Sequence, residues 1–212
     1  MRTRVPASFG AILAGGQSRR YGAPKALATI GGTPIVERVR AALSDVCPDI
    51  IMIANDQELY AGLGLPMRSD VRPGCGVLGG ILTALLWARE QGRPGALAVA
   101  CDMPFLSPGL LRRLLEVADG GDAADVVAAE SGGKRGVEPL CAWYGVGCIA
   151  AIEAELDRGE RHIVGFFDDV RVRRLPLDEV RAFGDPDVLF LNVNTPEERD
   201  RAEQLAAEMS DG

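Results

Sequence analysis

A glycine-rich, basic segment near the N-terminus has residue types that could bind a ligand. Its sequence is Leu13-Ala-Gly-Gly-Gln-Ser-Arg-Arg-Tyr-Gly-Ala-Pro-Lys25. Gly15 and Gly16 directly follow an apolar run, and the lack of side chains lets backbone N–H groups approach a ligand closely. Arg20, the arginine before it and Lys25 add three positive charges to a chain whose net charge is −7. These groups together favour a polyphosphate ligand. Their spacing matches neither the Walker A motif nor the dinucleotide-binding fingerprint.

Asp102 has the pattern of a metal ligand, because it directly follows the apolar run Ala96–Cys101. Such a run is typical of a central strand that is buried on both faces of a parallel sheet. A carboxylate at the carboxyl end of this strand lies at the mouth of the binding crevice. Because Mg²⁺ takes one or two carboxylates together with phosphate oxygens, we expect Asp102 to hold Mg²⁺ beside a triphosphate.

Three further positions place polar or glycine residues at the ends of predicted strands. The segment Asp70–Gly80 carries four glycines into the next predicted helix, and N–H groups at a helix start can bind a base edge or an anion. Asn55 follows the second apolar run, and Asn192 and Asn194 lie where the last predicted strand ends. All of these residues are therefore candidates for ligand binding.

The elements that must position these residues alternate along the chain between short apolar runs and helical patterns. The predicted strands are Phe9–Ala14, Ile50–Ala54, Pro66–Ser69, Ala96–Cys101, Asp125–Ala129, Pro139–Tyr144, Val170–Leu175 and Leu189–Val193. The predicted helices follow Thr33-Pro34 (N-cap and first-turn proline), cover Leu78–Arg89, follow Ser107-Pro108, cover Ile149–Leu156 and Ile163–Phe167, and follow the capping box Thr195-Pro196-Glu197-Glu198. This alternation predicts an α/β fold with three layers and a doubly wound, mostly parallel sheet. Without a linker, we expect one domain over 1–212, whose N-terminal half binds a nucleotide and whose C-terminal half completes an acceptor side.

Composition excludes several classes of function. Lys and Arg total 23 against 30 Asp and Glu, which argues against a nucleic-acid or membrane-surface binder. No apolar stretch approaches the roughly 20 residues that span a bilayer. The five cysteines are odd in number and widely spaced, so we expect reduced, mostly buried thiols in a cytoplasmic protein. His162 is the single histidine, which excludes a multi-histidine metal site, and we expect it at the surface.

The motifs together resemble a known family. Leu13-Ala-Gly-Gly-x-Ser-x-Arg20 followed by Gly-x-x-Lys25-Ala-Leu is similar to the signature of the nucleoside-triphosphate transferases that act in molybdenum-cofactor maturation. The later motifs fall in the family's order: Asp70 ahead of Pro-Gly-x-Gly-x-Leu-x-Gly, Cys-Asp102-Met-Pro-Phe-Leu, Glu138-Pro-Leu, Arg158-Gly-Glu-Arg161 and Asn192-Val-Asn-Thr-Pro-Glu-Glu198. The resemblance runs from about Phe9 to Leu205 and is greatest to the family's guanylyltransferases.

The resemblance implies that GMP passes from GTP to the phosphate of molybdopterin or the molybdenum cofactor, with release of pyrophosphate. It implies Mg²⁺ on Asp102 and an acceptor site at Asn192 and Asn194, which would lie near the pterin phosphate or a metal. Lys25 and Arg20 would balance charge on the leaving pyrophosphate. The implied nucleotide-binding residues are Leu13, Ala14, Gly15, Gly16, Lys25, Asn55, Asp70, Gly80 and Asp102. Molybdoenzymes or cofactor chaperones are the implied protein partners.

Guanine presents both donors and acceptors, so its site needs both kinds of group. We expect the carbonyls of Leu13 or Ala14, and N–H groups around Gly79 and Gly80 at the start of a helix, to supply them. Two residues depart from the family pattern. Tyr21 stands where methionine is common, and Ile53 stands where a relative has asparagine, so an amide contact to the nucleotide rests on Asn55.

Two alternatives remain open at this point. The same fold could use CTP to cytidylate molybdopterin, or transfer a nucleotide to another small phosphate. A protein of a different class, a nucleotide-binding regulator without catalysis, would keep the pocket. Retention of Asp102 favours an enzyme over such a regulator.

Overall fold

The computed structural model describes residues 8–14, 25–121 and 123–210. The strands in these ranges are β1 (Phe9–Leu13), β2 (Thr29–Ile30), β3 (Thr33–Pro34), β4 (Ile50–Ile53), β5 (Met67–Arg68), β6 (Gly95–Ala100), β7 (Val126–Glu130), β8 (Val137–Gly145) and β9 (Val172–Leu175). The α-helices in these ranges are α1 (Ile35–Ser44), α2 (Gly76–Glu90), α3 (Pro108–Asp119), α4 (Ile149–Asp157), α5 (Leu177–Arg181), α6 (Pro186–Leu189) and α7 (Pro196–Ser210). Short 3₁₀ turns cover Lys25–Leu27, Glu58–Leu63, Val146–Cys148 and Gly165–Asp169.

Seven strands form one sheet in the order β5-β4-β1-β6-β8-β7-β9, and β2 and β3 form a separate hairpin. β1 pairs in parallel with β4 on one side and with β6 on the other. β8 runs antiparallel to both of its neighbours, and β9 is parallel to β7. The chain thus builds the sheet outward from β1 in one direction and then returns to its other side at β6. This confirms the predicted mostly parallel, doubly wound sheet.

Helices cover both faces of the sheet, because successive strand residues point to opposite sides. Ile12 of β1 packs in one apolar cluster with Val39 of α1 and Leu110 of α3. Its neighbour Ala11 lies in a second cluster with Leu82 of α2. All six residues of β6 are buried, as expected for a central strand between two helical layers.

Two predicted helix starts were wrong. Thr33 and Pro34 form β3, and α1 begins only at Ile35 with Pro34 in the N-cap position. The turn between β2 and β3 is Gly31-Gly32, with φ values of 57° and 77°, which only glycine adopts without strain. The predicted helix at Ile163–Phe167 is a 3₁₀ turn that starts later, at Gly165.

The predicted last strand, Leu189–Val193, was also wrong. Its first residue closes the short helix α6, whose N-cap side chain Asp185 accepts a hydrogen bond from the N–H of Asp187, with proline at the first position. The apolar residues of the run are buried without strand pairing: Leu189 is the last residue of α6, and Phe190 and Val193 are buried in the irregular chain that follows.

Two predicted helix starts are confirmed. The Ser107 hydroxyl accepts a hydrogen bond from the N–H of Leu110 at the start of α3. At the start of α7, Thr195 Oγ1 accepts from the N–H of Glu198 at 3.2 Å. The Glu198 carboxylate accepts in turn from the N–H of Thr195 at 3.0 Å, which completes the capping box.

The cysteines are as the sequence predicts. All five thiols are free and four of them are buried. Burial, with help from a nearby acidic side chain, raises the pKa of Cys47 and Cys148 to about 12, so these thiols stay protonated and unreactive near neutral pH. Within the described ranges, no helix is both long enough and apolar enough to cross a bilayer.

Candidate functional site

The site lies at the carboxyl ends of β5, β4, β1 and β6, which are neighbours in the sheet. Asp70 follows β5, Asn55 follows β4, Ala14 follows β1 and Asp102 follows β6. The strand order reverses between β1 and β6, and ligands of open α/β sheets bind in the crevice at such a reversal. The structure therefore brings four of the predicted site residues to one edge of the sheet.

Asn55 holds Asp70 through two hydrogen bonds. Its Nδ2 donates to Asp70 Oδ2 at 2.9 Å, and its Oδ1 accepts from the backbone N–H of Asp70, also at 2.9 Å. The Asn55 amide, which we expected to contact the nucleotide, is thus hydrogen-bonded to the Asp70 carboxylate. Asn55 acts here by fixing the orientation of Asp70.

The other oxygen of Asp70 is the one buried side-chain polar atom in the described ranges that has no hydrogen-bond partner. Asp70 is 8% exposed, and burial raises the pKa of its carboxyl while the hydrogen bond from Asn55 partly opposes this. A Cβ on Gly80 would lie 3.6 Å from Oδ1 and 3.6 Å from Leu13 Cδ2. An acceptor without a partner, facing a residue without a side chain, is suited to an N–H or O–H donor of a ligand.

The start of α2 lies earlier than predicted, which moves the N–H groups that a ligand could use. The N–H of Gly79 donates to the carbonyl of Cys75 at 3.4 Å, and Gly80 lies still deeper in the helix. The N–H groups of Gly79 and Gly80 themselves are therefore not the donors expected around these residues. The N–H groups that precede the intrahelical bonds belong to Gly76, Val77 and Leu78.

The backbone at the end of β1 is partly committed to the sheet. The carbonyl of Leu13 accepts from the N–H of Cys101 at 3.2 Å, and the N–H of Ala14 donates to the carbonyl of Ile53 at 2.9 Å. Each carbonyl oxygen has two lone pairs, so the carbonyls of Leu13 and Ala14 can still accept from a base. Gly15, Gly16 and Arg20 lie outside the described residues.

Lys25 begins the 3₁₀ turn that leads into the β2–β3 hairpin. Two helices hold this hairpin by its backbone. Arg38 of α1 donates from Nε to the carbonyl of Ile30 at 2.9 Å, and Glu203 of α7 accepts from the N–H of Gly31 at 2.8 Å. Because Ile30 is also fully buried, the chain that follows the basic loop is anchored to the domain core.

Asp102 lies against the chain segment that carries the C-terminal asparagines. Its side chain is 8% exposed, and its carbonyl accepts a hydrogen bond from the N–H of Val193 at 3.0 Å. This bond places Asn192 and Asn194 beside the end of β6. Asn192 donates from Nδ2 to the carbonyl of Phe190 at 3.1 Å, which tightens the turn that carries both residues.

Glu138 is a second carboxylate near Asp102 to which the sequence assigned no separate role. Burial raises the pKa of Glu138, and the charge of Asp102 raises it further. The Oε1 atom of Glu138 accepts a hydrogen bond from the N–H of Leu140 at 3.0 Å. Both residues lie where the pairing of β8 with β7 shifts register. The sequence signal was Pro139, because proline inside a strand marks an edge or a bulge.

An open α/β sheet with acidic side chains and helix N–H groups at its strand-order reversal is the doubly wound architecture, in which nucleotides and other ligands bind at this crevice. The sequence from 10 to 173 matches the MobA-like NTP transferase domain. The chain belongs to this family, which makes it a nucleotidyltransferase.

Individual relatives cover nearly the whole chain. It is 37% identical over 203 residues to a molybdenum cofactor guanylyltransferase of Desulfosudis oleivorans, covering 94% of this chain and 96% of the relative. It is 36% identical over 199 residues to one of Cereibacter sphaeroides, covering 93% and 96%. The crystal structure of molybdopterin-guanine dinucleotide biosynthesis protein A from Archaeoglobus fulgidus superposes with a TM-score of 0.77 at 26% identity, over 94% of this chain and 98% of that one.

Proposed function

We propose that this protein transfers GMP from GTP to the terminal phosphate of molybdopterin or the molybdenum cofactor and releases pyrophosphate. The curated relatives carry this activity in their names. The observation that carries the proposal is the hydrogen bond from the N–H of Val193 to the carbonyl of Asp102. This backbone bond holds the proposed acceptor segment beside the residue that we propose as the metal ligand, and transfer between two bound phosphates requires the two sites to be close.

The reaction is an in-line attack of the acceptor phosphate oxygen on the α-phosphorus of GTP, which breaks the bond to pyrophosphate. This chemistry asks the protein for positioning and charge neutralisation. Lys25 and Arg20 would balance the charge of the leaving pyrophosphate. The attacking phosphate is already ionised near neutral pH and needs no general base. The single histidine, His162, has a side chain that is 82% exposed, consistent with a surface position outside the chemistry.

The donor set suits Mg²⁺ held largely by the substrate. No group of three or more histidine, cysteine or acidic side chains that could hold a metal is present in the described ranges. Mg²⁺ commonly takes one or two carboxylates and completes its shell with phosphate oxygens and water. Asp102 would supply the carboxylate, and the ion would withdraw charge from the phosphates.

The base site combines acceptors and donors as guanine needs. Asp70 Oδ1 and the carbonyls of Leu13 and Ala14 can accept from N1–H and the exocyclic amine of the base or from ribose hydroxyls. The first N–H groups of α2 can donate. Adenine has no N1–H and carries its amine where guanine has O6, and cytosine is smaller, so both fit this set less well. A site whose buried groups stay unpaired with the wrong base can reject it by about 10⁴-fold.

Competition of GTP, CTP and ATP for a fluorescent GTP analogue, with Mg²⁺ present, tests the base preference. We expect GTP to displace the analogue at the lowest concentration. If CTP displaced the analogue at a lower concentration than GTP, the proposal of guanylyl transfer would be replaced by one of cytidylyl transfer. The proposed phosphate and metal roles would be unchanged. GTP binding without pyrophosphate release in the presence of molybdopterin would instead support a nucleotide-binding regulator.

A further inference from the structure

Thr83 is a fully buried hydroxyl residue on α2 that the function described so far does not use. It is 0% exposed. Its Oγ1 accepts a hydrogen bond from the backbone N–H of Val71 at 3.0 Å and donates to the carbonyl of Gly79 at 2.8 Å. Its two partners, Val71 and Gly79, therefore belong to the segments that line the proposed base site.

Val71 and Gly79 lie on opposite sides of the space between Asp70 and Gly80, which we call the gap. Val71 directly follows Asp70, whose Oδ1 has no hydrogen-bond partner. Gly79 directly precedes Gly80, whose missing side chain leaves the space beside that oxygen. The Thr83 hydroxyl thus joins the loop that carries Asp70 to the turn of α2 that faces this carboxylate.

Asp70 is consequently fixed from two sides. Asn55 fixes its carboxylate through the side chain, whereas Thr83 fixes the backbone that follows it. Val71 itself is 47% exposed and contributes little packing of its own. The hydrogen bond to Thr83 is therefore a contact that ties this stretch of the loop to α2.

We propose that Thr83 is a positioning residue of the nucleotide site, which sets the distance between Asp70 Oδ1 and α2. The proposal rests on the proposed function, because it takes the ligand of this gap to be the nucleotide. Loss of the hydroxyl weakens binding of nucleotide in the ground state and the transition state alike. KM for GTP then rises while kcat changes little.

The test compares Thr83→Val, which keeps the shape and removes the hydroxyl, with Thr83→Ser, which keeps the hydroxyl. Kd for Mg²⁺·GTP and steady-state KM and kcat are measured well below the unfolding temperature of each variant. We expect Thr83→Val to raise Kd and KM about 5- to 10-fold, the effect of one lost hydrogen bond, and Thr83→Ser to restore both. Thr83→Ala gives the same comparison if the valine variant does not fold.

Ser8→Ala is the matched control. Ser8 Oγ accepts from Trp143 Nε1 at 2.8 Å in another buried hydrogen bond, at the start of β1 and so at the opposite edge of the sheet. We expect this variant to lose stability with no change in Kd. Equal Kd values for the parent and Thr83→Val overturn the positioning role, as does a similar rise in Ser8→Ala. A parent protein that binds no GTP overturns the proposed function itself.

Discussion

At the scale of single residues, Asp70 is the clearest sign of a binding site. A buried carboxylate oxygen without a partner costs free energy of folding. Asn55 satisfies the other oxygen, but none of the described residues satisfies Oδ1. An unpaired buried acceptor at the edge of a sheet is therefore consistent with selection for ligand binding at the expense of stability.

The first prediction concerns the pH dependence of this cost. Burial raises the pKa of Asp70 in the folded state, so ionisation penalises folding. Below the ordinary aspartate pKa of about 3.9 the carboxyl is protonated in both states, and the penalty is absent. As pH rises through the raised folded-state pKa, the unfolded chain is already ionised and the free energy of unfolding falls.

Asp70→Asn removes this titration, so we expect the variant to be more stable than the parent at pH 8 and the difference to shrink towards pH 4.5. Urea unfolding of both proteins without nucleotide, over this range, measures it. A difference that is the same at every pH would contradict the assignment of the penalty to ionisation of Asp70.

A second prediction concerns the metal. Asp102→Asn is expected to leave the fold intact and to lower kcat by more than about tenfold, because an amide lacks the charge that holds Mg²⁺. A Mg²⁺ titration of pyrophosphate release measures the effect. Asp119→Asn, an exposed carboxylate at the end of α3, is the control. If the activity of the Asp102 variant were within about threefold of that of the parent, Asp102 would be excluded as the metal ligand.

Gly80 gives a third prediction that separates folding from binding. A Cβ at this position makes only ordinary contacts, at 3.6 Å or more, and alanine favours a helix interior by about 1 kcal/mol over glycine. We expect Gly80→Ala to keep or raise the melting temperature and to weaken GTP binding, because its methyl fills the space beside Asp70 Oδ1. Gly80→Val should weaken binding further. Unchanged GTP affinity in both variants would place the nucleotide elsewhere.

At the scale of elements, the sequence predicts strands and helices where local pattern and tertiary contacts agree. The apolar run that forms β6 and the serine and proline that begin α3 are examples. The run at Leu189–Val193 looks like a strand because it is apolar, yet it ends α6 at Leu189 and continues as buried irregular chain beside Asp102. Local pattern alone cannot distinguish these two ways of burying the same residues.

The capping box of α7 supports a prediction about the acceptor segment. The Glu198 carboxylate accepts from the backbone N–H groups of Asn194 at 2.6 Å and Thr195 at 3.0 Å. Glu198→Ala should lower the free energy of unfolding by about 1 kcal/mol, and raise KM for molybdopterin more than KM for GTP. Glu197→Ala, an exposed carboxylate in the same turn, is the control. Equal increases in both KM values would show that the segment does not serve the acceptor.

At the scale of the whole molecule, the sequence predicted a mostly parallel, doubly wound sheet, because strands and helices alternate along the chain. It also predicted that the candidate site residues follow the carboxyl ends of the strands. It could not predict which side chains pair at these strand ends. Asn55 and Asp70 are 15 residues apart, and Glu138 comes near Asp102 only through the antiparallel strand β8. Such pairings depend on register, and a register is fixed only when the sheet assembles.

The bond between Glu203 and the N–H of Gly31 joins residues 172 positions apart, which has a consequence for synthesis of the protein on the ribosome. The hairpin that follows the basic loop emerges early, but the carboxylate that holds it is made only after the entire sheet. A nascent chain that stops before Glu203 is therefore expected to bind GTP more weakly than one that extends through α7. Ribosome-arrested chains of increasing length, probed with a fluorescent GTP analogue, would show affinity rising as α7 clears the exit tunnel. Full affinity in chains that end before α7 would mean that the hairpin needs no such support.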